Sequence, residues 1–87
     1  MRWVVYILEC GDNSLYTGIT TDLSARFAAH RAGTGAKYTR GRGPLNLVFQ
    51  EPAPDRSAAT RRESEIKALD VAAKRRLINT QWAVRYR

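Results

Sequence analysis

Arg26 and His30 stand four residues apart in the stretch TDLSARFAAHRAG, a spacing that puts both on one side of a helix. At 100° per residue from Leu23, Phe27 falls at about +40°, His30 at about −20° and Arg26 at about −60°. Both therefore share the stripe that Leu23 and Phe27 should bury, while Ala25, Ala28 and Ala29 lie round the cylinder. Polar groups set against an apolar pattern mark places where function overrides a local rule. Taken singly, Arg26 could snorkel at a sheet edge and His30 could be a satisfied core histidine. As a pair they sit in a block, between Asp22 and Glu51, that holds Arg26, Arg31, Lys37, Arg40 and Arg42 and no acidic residue. Such a field attracts phosphate backbones by steering and counterion release.

Three further residues could join that pair. Glu63 lies between Ala59 and Ile66 on roughly one side of its helix, so it is the carboxylate placed to look inward, whereas Glu65 points to solvent. Its plainer role is an i,i+4 pair with Lys67, worth only a few tenths of a kcal/mol. Tyr6 and Tyr16 flank the polar turn GDNS. Strand side chains alternate faces, so the two phenols share a face only if opposed residues have numbers with an even sum. An odd-length loop makes them partners and an even loop separates them. Gly18, two residues after Tyr16, marks a bulge or a close backbone approach.

The elements that must hold these residues are readable. WVVYILEC is an apolar, β-branched and aromatic run, hence a buried strand. LYTGIT alternates as a second strand and closes a hairpin with the first. A helix follows, with Thr21 or Asp22 as N-cap and Gly33 beyond its last turn. TGAKYTRGRGP is a basic, glycine-rich loop, and LNLVFQE a third strand stopped by PAPD. Asp55 or Ser57 caps a second helix reaching about Leu69, and Asp70 caps a third, VAAKRRLIN. The order ββαβαα predicts an α+β domain, a small three-stranded antiparallel or mixed sheet flanked by helices. We expect one domain over residues 1–80, with residues 81–87, QWAVRYR, as a short strand or ordered tail.

Composition narrows the function classes. A chain of 87 residues buries only about 60 to 65% of its unfolded surface, enough for one thin core. Fifteen Lys and Arg against eight Asp and Glu give a net charge of +7. The single cysteine, Cys10, excludes an intrachain disulfide and points to a reducing, cytoplasmic setting. No apolar run approaches the roughly 20 residues of a membrane span. One histidine and one cysteine without CxxC or HExxH exclude familiar zinc sites, and neither a GxxxxGK[ST] loop nor a Rossmann glycine pattern is present.

Taken in order, these residues resemble the GIY-YIG endonuclease domain, and most closely its small stand-alone bacterial members. Val4-Val5-Tyr6 stands where that family has Gly-Ile-Tyr, and Tyr16-Thr17-Gly18 where it has Tyr-Ile-Gly. TDLSARFAAH looks like the family helix, with its arginine at Arg26 and the histidine of some members at His30. GAKYTRGRGPLNLVF resembles the stand-alone subfamily's loop and third strand, and RRESEIKAL its second helix with the metal-binding glutamate at Glu63. The family's late asparagine has only Asn79 as a counterpart, which stays outside the site.

The resemblance implies a divalent-metal-dependent DNA endonuclease, working in repair or recombination. Tyr6, Tyr16, Arg26, His30 and Glu63 would be catalytic, with Mg²⁺ or Mn²⁺ on Glu63 and water in its other positions. Arg26 would brace charge on the pentacovalent phosphorus. A tyrosine with its pKa lowered from about 10 by nearby cations would take the proton of the attacking water. Tyr6, helped by His30, is the favoured base, and Tyr16 the positioning residue. Lys37, Arg40, Arg42 and Lys67 would hold the DNA backbone without reading bases, leaving specificity to a protein partner. The alternatives are a basic nucleic-acid-binding module on the same fold with weak or lost catalysis, and a protein-interaction adaptor using QWAVRYR.

Overall fold

The computed structural model describes residues 2–85, the side chains of 82–85 excepted. Its elements follow the expected ββαβαα order: β1 (Trp3–Glu9), β2 (Leu15–Thr20), α1 (Leu23–Arg31), β3 (Asn46–Ala53), α2 (Arg56–Ala68) and α3 (Val71–Arg85). A single 3-10 turn, Lys37–Thr39, interrupts the glycine-rich loop. The three strands form one antiparallel sheet in the order β2-β1-β3, so the most apolar strand is central. Val5, Ile7, Phe49, Ala53, Ala59, Ile66 and Ile78 make one core between the sheet and the two C-terminal helices. Each buried Val or Ile contributes about 1.5–3 kcal/mol relative to exposure. Tyr6 and Leu8 alternate with Val5 and Ile7, so they lie buried on the opposite face, where α1 reaches the sheet.

The hairpin register answers the parity question. Tyr6 pairs with Gly18 and Leu8 with Tyr16, so opposed numbers have an even sum and both tyrosines lie on one face. The turn chemistry enforces it. The Asn13 N–H donates to the Cys10 carbonyl at 2.9 Å and the Cys10 N–H to the Ser14 carbonyl at 2.9 Å. Asn13 has φ 68°, the left-handed position that closes a three-residue hairpin loop after a turn. Asp12 fixes the turn further by accepting the Ser14 N–H at 3.0 Å.

Two boundaries differ from the sequence expectation. The third strand was expected to stop at Glu51, yet Pro52 and Ala53 still pair with Val4 and Trp3. β3 is an edge strand, where a proline's missing donor costs no ladder bond on the open side. The third helix was expected to end near Asn79, with a strand or ordered tail after it. Instead α3 runs on through Arg85, carrying most of QWAVRYR as helix, and residues 86–87 lie outside the described residues.

Candidate active site

α1 begins where Asp22 accepts the Ala25 N–H at 3.0 Å. It ends in a Schellman turn: Thr34 donates to the Ala29 carbonyl at 3.0 Å and Gly33, at φ 80°, to the His30 carbonyl at 3.1 Å. That framing holds His30, only 2% exposed, against Tyr6, 1% exposed. The Tyr6 hydroxyl lies 2.9 Å from His30 Nε2, and His30 Nδ1 lies 2.9 Å from Thr39 Oγ1. Thr39 donates its one hydroxyl proton to the Ala36 carbonyl at 2.9 Å, so toward His30 it can only accept. The Nδ1 of His30 therefore carries hydrogen. Burial, and secondarily the charge of Arg26, hold its pKa below the usual 6.5, so the ring is neutral and Nε2 accepts from Tyr6. His30 is thus a satisfied core histidine and a proton acceptor for a tyrosine at once.

The rest of the cluster forms round this pair. Tyr16 lies edge-on to His30 with ring centroids 5.2 Å apart, and 6.3 Å from Tyr6. Across the hairpin, a Cβ on Gly18 would stand 2.5 Å from the Tyr6 hydroxyl oxygen, so the glycine makes room for the phenol. Arg26 approaches the Tyr6 hydroxyl without closing a directed hydrogen bond, and it raises its own pKa mainly through that approach. Among the described residues, Arg26 has no carboxylate partner. Glu63 is 21% exposed at its side chain, with Lys67 Nζ at 3.4 Å, and its charge reaches Tyr6. Glu63 thus forms the i,i+4 pair with Lys67 while its side chain stays largely covered.

One expectation needs correction. A tyrosine base was expected to have a pKa lowered by neighbouring cations. The Tyr6 phenol is instead raised above 10.0, because burial outweighs the lowering effect of Arg26, and the charges of Tyr16 and Glu63 add to the rise. A standing phenolate on Tyr6 is therefore scarce at neutral pH.

Among the described residues, no group of three or more His, Cys, Asp or Glu could hold a metal ion. A cation here would have Glu63 as its protein ligand and water elsewhere, which fits Mg²⁺. Of the expected backbone-binding residues, Lys37 and Arg40 are exposed on the glycine-rich loop. Arg42 is bound to Asp12 at 2.6 Å and lies 4.4 Å over the Tyr38 ring, while Lys67 pairs with Glu63.

Two contributors were not singled out from the sequence. Thr39 orients His30 from nine residues away, and a hydroxyl in a polar loop gives no sign of that. Gly35 packs so closely on His30 that a Cβ would come within 2.5 Å of Nδ1. A second glycine so soon after Gly33, which itself serves the positive φ at the helix end, was a usable signal of close approach at Gly35. Behind His30 a cleft of about 540 Å³ opens between Phe27, Arg31, Thr39, Leu45 and Leu47.

The comparisons with known proteins agree with this arrangement. The family model of the GIY-YIG catalytic domain matches residues 2–76. A UPF0213 protein of Cronobacter sakazakii is 53% identical over 77 residues, spanning 88% of this chain and 81% of that protein. One from Natronomonas pharaonis is 55% identical over 74 residues, spanning 85% of this chain and 87% of its own. The solution NMR structure of the UPF0213 protein from Bacillus halodurans superposes with a TM-score of 0.61 at 49% identity, covering 92% of this chain and 85% of that one. A solution NMR structure of an E. faecalis protein gives 0.64 at 34% identity, covering 94% and 88%. Since the family match runs from the Tyr6 strand into α3 and takes in every residue of the cluster, the chain belongs to the GIY-YIG family, a nuclease family.

Proposed function

We propose that this protein is a divalent-metal-dependent endonuclease that hydrolyses DNA phosphodiester bonds, acting in the cytoplasm in repair or recombination. The observation that carries this reading is the directed chain from Tyr6 through His30 to Thr39, beside an arginine that has no carboxylate partner among the described residues. Because the Tyr6 phenol is raised, the base works as a relay. As water attacks phosphorus, the Tyr6 oxygen takes the water's proton while its own moves to His30 Nε2. Thr39 keeps the ring turned for that transfer, and Tyr16 orients the water or phosphate. Arg26 braces the charge that develops on the pentacovalent phosphorus. Glu63 would hold Mg²⁺ or Mn²⁺, which supplies polarisation of the phosphate and stabilises the leaving oxygen. Lys37, Arg40, Arg42 and Lys67 hold the DNA backbone, with a protein partner supplying specificity.

The Glu63–Lys67 pair also suits a binding module with weak or absent catalysis, since Lys67 already neutralises the only proposed ligand. One panel separates the readings: branched, nicked, single-stranded and plain duplex DNA with Mg²⁺ or Mn²⁺, beside Glu63→Gln. Loss of cutting with binding retained supports the nuclease. Binding without cutting by the wild type gives the module, and undiminished cutting by Glu63→Gln removes Glu63 from the site.

A further inference from the structure

The glycine-rich loop does more than reach His30. Tyr38, in the same 3-10 turn as Thr39, stacks on Tyr16 with ring centroids 5.8 Å apart and 29° between planes. It is 42% exposed, one of the few large apolar side chains left to solvent among the described residues. The guanidinium carbon of Arg42 lies over its ring, 4.4 Å from the centroid, a place that a planar base can take once Arg42 moves off it. Arg42 is held there by Asp12 of the hairpin loop at 2.6 Å, an ion pair with 40% and 49% of its side chains exposed. Exposed pairs of this kind are weak and screened by salt, so a DNA phosphate can replace Asp12 as the partner of Arg42. Lys37 and Arg40, both exposed, flank the ring on the same loop.

We propose that Tyr38 is a stacking platform for an unpaired nucleobase next to the scissile phosphate, with Arg42 taking that nucleotide's phosphate from Asp12. Every base has a π-face, so such a platform selects unstacked DNA without reading sequence. A continuous duplex cannot use it, because its bases are already stacked on each other. The substrate class this implies is DNA with a single-stranded segment or unpaired base at the cleavage point. This extends the nuclease reading of the same site, but its test does not need cleavage.

The full chain is titrated, without metal, against two oligonucleotides carrying 2-aminopurine, one with the probe unpaired and one with it inside a duplex. Stacking on Tyr38 should change the probe's fluorescence only when it is unpaired. Tyr38→Ala should abolish that change and weaken binding of the unpaired probe by roughly tenfold, with duplex binding nearly unaltered. Tyr38→Phe should behave as the wild type. Equal loss on both probes would reduce Tyr38 to a prop for Tyr16, and no loss on either would also overturn the proposal. Cleavage assays with Mg²⁺ then test the nuclease reading separately: a chain that stacks the probe but cuts nothing keeps the platform and loses the activity.

Discussion

His30 would join the proposed catalysis to stability, because the neutral ring that accepts from Tyr6 is also one that the fold keeps uncharged. Unfolded, an imidazole binds its proton near pH 6.5; in this fold its pKa is lower. Between those two values the unfolded chain holds a proton that the native chain lacks. Stability is therefore full above about pH 6.5 and falls as the pH drops through that window. Melting temperatures measured from about pH 7.5 down to about pH 5.5 should decline for the wild type and lose that component of the slope in His30→Gln. Cleavage should fade on the same acidic side, as Nε2 becomes protonated. Gly18 makes the second prediction at this scale. A Cβ there would press on Oη and Cζ of Tyr6, 2.5 and 2.7 Å away. Gly18→Ala should destabilise by about 1–3 kcal/mol in denaturant titrations. Tyr6→Phe should recover only part of that loss, since the ring carbon still collides. The close approach at Gly18 was legible, because a glycine inside a strand asks for a reason. The raised Tyr6 phenol was not: the strand read as buried, but the sequence does not show that burial of the phenol would outweigh the lowering effect of Arg26.

α1 is the element on which the site depends most. It has nine residues, and isolated helices shorter than about 12–15 residues are marginal in water. Its two ends must therefore hold it; the sequence offered Thr21 or Asp22 at the start and Gly33 at the end, and the structure makes Asp22 the cap. Asp22→Ala should cost about 1 kcal/mol of stability, read as a lowered denaturation midpoint. Asp55→Ala removes the equivalent cap from α2, a bond of 2.8 Å to Ala58, and should cost a similar amount. Cleavage should separate them, since fraying of the first turn of α1 displaces Arg26, whereas α2 is thirteen residues long and anchored in the core by Ala59 and Ile66. Equal cleavage in both variants would show that Arg26 does not need the cap. The hairpin shows how far local chemistry reaches. Parity reduced the face of Tyr16 to an odd or even loop, and the left-handed Asn13 made it odd. The ends of β3 and α3 were less legible because sheet edge and helix length are decided by neighbours: Pro52 is tolerated because, among the described residues, β3 is an edge strand.

Over the whole molecule, the charge of +7 was plain from the sequence, but which cations are free to meet DNA was not. Arg42 and Lys67 already have carboxylates at 2.6 and 3.4 Å. Arg62 and Arg75 are tied to Glu51 and Glu9 in the same way. Lys37 and Arg40 are exposed beside the cluster, while Lys74 and Arg76 belong to α3, which packs on the opposite face of the sheet. If the field acts as a uniform cloud, removing either pair should weaken DNA binding equally. If backbone contacts are made at the α1 face, the pairs should differ. Each phosphate contact on duplex DNA contributes about 0.9 to the slope of log affinity against log salt. Lys37→Gln with Arg40→Gln should therefore flatten that slope by about 1.8. Lys74→Gln with Arg76→Gln, carrying the same change in net charge, should leave the slope nearly unchanged and lower the association rate only modestly. Binding measured over a series of salt concentrations decides the matter. Equal flattening by both pairs would mean that DNA is held by overall charge and that the face carrying Tyr6, Arg26 and His30 has no preferred claim on it.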